Sequence, residues 1–410
     1  MLQDATIWPA PRLAGTATAL PPPPIPACRA WAAGYGGARG PLLDLTQSVP
    51  GVAPPQDLLQ RLAAAAADPA TAGYGPLEGE APLRAALAAE MRGIYGGDIA
   101  ADDLRITAGA NIGFTLAMSV LTAPGDAVLI PAPWFFNHRM ALALRGVEAV
   151  PLPCRAEDGF LPDPERAAAL LGPRVRAILL VTPNNPTGAA IPAALLGRFA
   201  ELCRARGLWL VLDETYRDFL PDPLPAGGRA EAGSRAPGAL PAPHRLLRRP
   251  DWRDFVVQLY SFSKAYGLPG HRMGALAAGP AMLAEFVKAV DNIQICAPRP
   301  PQLALAWAIP ALRAWRAENR ARMAARGRAF RQALARAPAW RLEAAGAMFA
   351  WLRVPEDGPD SAMVAERLAR ERGLVTLPGG AFGPGGQRHL RLAFATVEAE
   401  AMPDIVARLG

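Results

Sequence analysis

Lysine is rare in this chain: of 43 basic side chains only Lys264 and Lys288 are lysines, and the rest are arginine. A guanidinium stays protonated and cannot act as an amine nucleophile, whereas a lysine with a lowered pKa can form a Schiff base with a carbonyl. Lys264 closes the run Ser261-Phe262-Ser263-Lys264, and Arg272 follows inside Gly270-His271-Arg272-Met273-Gly274. Two hydroxyls, an amine and a guanidinium this close together suit a phosphate held beside an electrophilic carbonyl. On composition alone, a solvated surface cation is the plain alternative for Lys264.

The elements that must position these groups favour the first reading. Residues 255–260 form a short apolar, β-branched and aromatic run that predicts a buried strand, with the serines and Lys264 at its carboxyl end. Open α/β sheets bind ligands at that edge, and a phosphate next to a carbonyl describes pyridoxal phosphate. From 104 to 212 strand and helix patterns alternate, which predicts a mainly parallel sheet covered by helices, with strands at 127–130, 177–181 and 208–212.

Other candidates fall near predicted strand ends. Thr107-Ala108-Gly109-Ala110-Asn111 precedes an apolar helical stretch, so its amides mark a helix N-terminus that either binds phosphate or is ordinarily capped. Pro133-Trp134-Phe135-Phe136 offers a ring to cover a flat ligand, or simply packs in the core. Thr182-Pro183-Asn184-Asn185-Pro186-Thr187-Gly188 is a tight loop whose asparagines can supply amide donors. Asp213 leaves an apolar strand as a helix cap or as the partner of a buried cation, with Tyr216 just beyond. Tyr74 stands between Gly73 and Gly75 in a turn. Arg391, in the alternating strand 390–394, is expected to point away from its apolar neighbours and to seek a carboxylate.

At 410 residues with 51% hydrophobic and 19% charged side chains, the chain suits a soluble globular enzyme of two domains. We expect an N-terminal arm and small-domain part over 1–54, a large cofactor-binding domain over 55–308 and a small α+β domain over 309–410. The segment up to residue 26 ends in a proline run and reads as an extended arm, neither helix nor central strand. One long helix is expected over 310–337, another over 361–372, and a structureless loop over 220–245. The net charge of +7 comes from scattered arginines, which argues against nucleic acid. The four cysteines show no paired metal-ligand spacing, and no signal or membrane-spanning run stands out, so a metal-free cytoplasmic protein is expected.

Taken together, Tyr74, Gly109, Asn185-Pro186-Thr187-Gly188, Asp213 to Tyr216, Ser261 to Lys264, Arg272 and Arg391 resemble the fold type I pyridoxal-phosphate enzymes, specifically the class I/II aminotransferases, over about residues 40 to 400. The resemblance implies that Lys264 attaches the cofactor and shuttles the substrate α-proton. It implies that Asp213 pairs with the pyridine nitrogen, that Asn185 and Tyr216 bond its phenolic oxygen, and that Phe135 stacks on its ring. It places the phosphate on Ser261, Arg272 and the amides at Gly109, Ala110 and Asn111, with Tyr74 arriving from a second subunit of a homodimer. Arg391, with Asn185 and the Ser48 amide, would bind the carboxylate of an α-amino acid, and a 2-oxo acid would accept the amino group. Ser48 is a departure, since relatives usually carry glycine in that segment, and its side chain is expected to narrow the pocket. The same scaffold also supports lyases and decarboxylases. A cofactor-binding regulator would need a DNA-binding module that the short, proline-rich segment before the first strand does not supply.

Overall fold

The computed structural model describes residues 11–220 and 242–410. Its centre is a seven-stranded sheet made of β1 (Leu104–Thr107), β2 (Ala127–Ala132), β3 (Glu148–Pro153), β4 (Val175–Val181), β5 (Trp209–Asp213), β6 (Val256–Ser261) and β7 (Gly274–Ala277). The order across the sheet is β1-β7-β6-β5-β4-β2-β3, with every pairing parallel except those of β7.

Near-continuous apolar strands are what a sheet covered on both faces requires. In β4, Ile178 and Leu180 enter one buried cluster, while Ala177, Leu179 and Val181 enter the cluster on the opposite face. The same period of two divides β5 and β6 between the clusters. Two strands escaped the sequence pattern for identifiable reasons. β3 carries Pro151 and Pro153, tolerable because it lies at the sheet edge. β7, Gly-Ala-Leu-Ala, lacks the β-branched signature, and its Gly274 is required: a Cβ there would sit 2.5 Å from the Ala110 amide nitrogen.

A second layer combines the two ends of the described chain. An antiparallel sheet contains β8 (Arg341–Gly346), β9 (Phe349–Arg353), β10 (Leu377–Pro378) and β11 (His389–Ala393) in the order β10-β11-β9-β8. The short strand Leu43–Asp44 pairs in parallel with Leu374–Val375. The architecture is therefore α/β, a mostly parallel seven-stranded sheet covered by helices with a smaller antiparallel α+β part.

One expectation is corrected. The proline run does not stay extended: the helix Pro24–Trp31 begins inside it, because proline fits the first turn, where its missing N–H has no partner to lose. Two helices, Arg299–Ala311 and Arg313–Leu334, are divided at Leu312, and the second fills most of the helix expected over 310–337. Pro310 lies in the last turn of the first, where removing an amide donor helps to end it. Finally, most of the expected 220–245 loop, residues 221–241, lies outside the described residues.

Candidate active site

β5 and β6 run parallel, so their carboxyl ends, Asp213 and Ser261, reach the same sheet edge. β7 runs the other way and starts at that edge: Gly274 pairs with Ser261 on one side and with Thr107 on the other. Topology thus brings Arg272, just ahead of β7, to the Ser261–Lys264 turn and to the N-terminus of the helix Ala110–Leu121. Their meeting point is a cavity of about 380 Å³, also lined by Ser48, Ala110, Asn111, Phe135, Asn185, Asp213, Tyr216, Ser261, Lys264 and Arg391.

One end of the cavity suits an anion. The helix Ala110–Leu121 has no acidic residue in its first turn, so its exposed amide end is electropositive. Gly109 precedes it with φ 93°, and a Cβ there would lie 2.2 Å from Arg272 Nη2. Glycine is therefore needed both for the backbone angle and to admit the guanidinium. Arg272 Nη1 donates to the Pro269 carbonyl at 3.0 Å and has no acidic partner among the described residues. The Ser261 hydroxyl accepts from the Ser263 amide at 3.3 Å.

Lys264 stands between this cradle and Arg391. Burial, then the charges of Arg391 and Arg272, lower its pKa to about 8. The neutral, nucleophilic amine is therefore populated at moderately alkaline pH rather than only above 10.

Asp213 supplies the counter-charge. Its Oδ2 lies 3.1 Å from His138 Nε2 and its Oδ1 accepts from the Thr215 amide at 2.9 Å. Burial alone would raise its pKa, but the His138 hydrogen bond and charge together with Thr215 outweigh it, and the carboxyl is held below its usual range. His138 is a site residue the sequence reading missed. It lies three residues beyond Phe135 in the helix Phe136–Leu144, which turns it inward between Phe114 and Phe135, with ring centroids at 4.4 and 5.3 Å. The available signal was a rare histidine, one of four, on the same helical face as Leu142.

At the other end Arg391 is 2% exposed, and its Cζ lies 5.2 Å from the ring centroids of both Phe349 and Phe382. Its strand neighbours Leu390 and Leu392 enter an apolar core cluster while Arg391 turns to the cavity, as the alternating pattern implied, flanked by two aromatic rings. Its guanidinium reaches the cavity edge, donating from Nη1 to Asn185 Oδ1 at 3.1 Å and from Nη2 to the Thr46 carbonyl. Nε has no partner, and no carboxylate pairs with this buried cation among the described residues. Burial brings its pKa down to about 10.

Tyr216 and Ser48 complete the wall, their hydroxyls 2.6 Å apart. Burial raises the Tyr216 pKa to about 12 against the pull of Ser48 and Arg391, so it carries a proton to donate at neutral pH. Phe135 lines the cavity, whereas the neighbouring Trp134 is buried in the core. Tyr74 is not part of this cavity: it is 80% exposed, on a turn whose carbonyls at Ala70 and Gly73 accept from Arg299. The described residues hold no metal-binding cluster and no helix long and apolar enough to cross a membrane.

Residues 41–409 match the family described as aminotransferase class I and II. The chain is 30% identical over 374 residues to the aromatic aminotransferase ISS1 of Arabidopsis thaliana, covering 90% of this chain and 88% of that protein. It is 31% identical over 346 residues to the arginine–pyruvate transaminase AruH of Pseudomonas aeruginosa, covering 82% and 81%. In structure it resembles an aminotransferase from Mycobacterium tuberculosis with a TM-score of 0.86 at 26% identity, over 97% of this chain and 98% of that one.

Proposed function

The chain belongs to the class I and II aminotransferases, enzymes of amino-group transfer that depend on pyridoxal phosphate, and from that premise we propose how this cavity does the work. The substrates are an α-amino acid and a 2-oxo acid, and Lys264 would move the proton at the substrate α-carbon. The observation that supports this reading best is one lysine of lowered pKa set between an anion cradle and a buried arginine without a carboxylate.

The residues fit the cofactor. Ser261, Arg272 and the amides of Ala110 and Asn111 would hold its phosphate, with Arg272 admitted by Gly109, where a Cβ would collide with the guanidinium. Asp213, charged and buried, would keep the ring nitrogen protonated, and His138 would keep Asp213 oriented. Phe135 would cover the ring face, and Asn185 and Tyr216 would address its phenolic oxygen. When bound, the cofactor supplies an electrophilic carbon and a sink for the electrons left as the α-proton departs.

The protein's own contribution is placement and proton traffic. Arg391 grips the substrate carboxylate through a planar fork, which selects α-amino acids over simple amines and fixes which face of the α-carbon meets Lys264. The Lys264 amine would take the α-proton and pass it, on the same face, to the cofactor's reactive carbon, a task its lowered pKa suits near neutral pH. Tyr216 keeps its proton as a donor throughout, and Asp213 stays an anion.

A homodimer is part of the proposal. Tyr74, Ile293 and Ile295 are all exposed, and an aromatic on a turn braced by Arg299 is well placed to enter a second copy's site. The decisive experiment is to load the purified protein with pyridoxal phosphate and titrate it with amino acids, no oxo acid present. Loss of the visible band, restored by a 2-oxo acid, is the expected result. A band that persists while ammonia or carbon dioxide is released points instead to elimination or decarboxylation.

A further inference from the structure

Ser48 and Tyr216 are 168 residues apart in sequence, yet their hydroxyls meet at 2.6 Å, and both residues are buried. Ser48 is not free to drift: two residues earlier in the same segment, the Thr46 carbonyl accepts from Arg391. Tyr216 is equally fixed, with its ring against Phe349 at a centroid distance of 5.0 Å. A phenol offers one proton and a serine hydroxyl one proton. If Tyr216 gives its proton to a ligand in the cavity, the bond between the two hydroxyls can only run from Ser48 to the Tyr216 oxygen. A hydroxyl that accepts one hydrogen bond becomes a stronger donor of the next, the more so out of water.

We propose that Ser48 is a positioning residue that fixes the Tyr216 hydroxyl and strengthens it as a donor toward a ligand oxygen in the cavity. The inference rests on the functional reading above, in which that oxygen is the phenolic oxygen of pyridoxal phosphate. A stronger donor stabilises the anionic form of that oxygen, so the titration of the ligand-linked amine falls to lower pH. Bulk is the competing explanation, since a Cβ and hydroxyl also narrow the pocket where relatives usually carry glycine. The two accounts part over alanine, which keeps the Cβ and loses the hydroxyl.

The test is a pH titration of the visible absorbance of pyridoxal-phosphate-loaded protein without substrate, for wild type, Ser48→Ala, Ser48→Gly and Ser48→Thr. Loss of one such hydrogen bond is expected to move the midpoint upward by about half a pH unit to one unit. Alanine and glycine should move it alike, and threonine, which keeps the hydroxyl, should stay at the wild-type value. In a Tyr216→Phe background, Ser48→Ala should produce no further shift. Alanine behaving as wild type while glycine alone differs overturns the proposal in favour of bulk, and an undiminished alanine shift in the Tyr216→Phe background overturns it too. Absence of any visible band in the loaded wild type strikes down the functional reading itself, a result distinct from a normal band that ignores Ser48.

Discussion

Two buried arginines show how differently this molecule uses the same side chain. Arg316, 5% exposed, donates to Glu90 at 2.6 Å and to Asp218 at 2.9 Å, and Asp218 also accepts from Tyr260 at 2.9 Å. Burial alone would lower its pKa, but Tyr266, Asp218, Tyr260 and Glu90 around it raise it above the ordinary arginine value. Arg391, 2% exposed, has an amide oxygen and a peptide carbonyl instead, an idle Nε, and a pKa brought down to about 10. A buried cation without an anion is unfavourable unless something else compensates. In Arg316 the compensation is internal and permanent; for Arg391 our proposal assigns it to the substrate carboxylate.

The contrast extends beyond the arginines. Glu214, next to Asp213 in sequence, is enclosed by Tyr95, Gln258 and His244. Asp213 instead faces the cavity with His138 as its ionisable partner. Adjacent strand-end residues point to opposite sides, so one carboxylate serves the interior and the other the site.

The largest expected effect comes from the cavity side. Lys264→Ala should lower kcat at least about 10³-fold while leaving the melting temperature within about 3 °C of wild type, as read by steady-state assay and calorimetry. On the interior side, Arg316→Met should destabilise by about 3 to 5 kcal/mol, because it strands buried carboxylates. Denaturant unfolding would show this, with unchanged turnover per folded molecule. Arg391→Met should reverse that pattern, cutting kcat/KM for α-amino acids about 10- to 100-fold with no loss of stability; a destabilisation as large as that of Arg316→Met would erase the distinction. The subtlest test uses ligand-free protein and an amine-directed acylating reagent. Modification of Lys264, separated from Lys288 by peptide mapping, should rise with pH about a midpoint near 8. In Arg391→Met the midpoint should move upward, since removing a nearby positive charge lets the ammonium keep its proton to higher pH.

What the sequence revealed follows the range of the interactions involved. Lys264, Asp213 and Asn185 sit at or just beyond strand carboxyl ends, and apolar runs mark those ends locally. Gly109 could be singled out because the conformation it needs is a local property. The pairing of Ser48 with Tyr216 and of Arg391 with Thr46 is invisible to any window, because only the tertiary fold brings such distant residues together. His138 gave a helical signal that apolar neighbours masked, and Arg391 was legible as an arginine seeking a carboxylate while the two phenylalanine rings that flank it were not. The helix starting at Pro24 was hidden by reading proline as a breaker without regard to its place in the first turn.

The pairing of Leu43–Asp44 with Leu374–Val375, and of Thr46 with Arg391, bears on the order of events during synthesis. A ribosome that has just released residues up to β7 has exposed everything needed for the phosphate cradle and Lys264, but not Arg391. Since domains fold as they emerge, the nascent chain can pair the strands of the large sheet while its N-terminal strand still waits for a mate more than three hundred residues away. Arg391, to which we assign the grip on substrate, is therefore among the last parts of the site to be built.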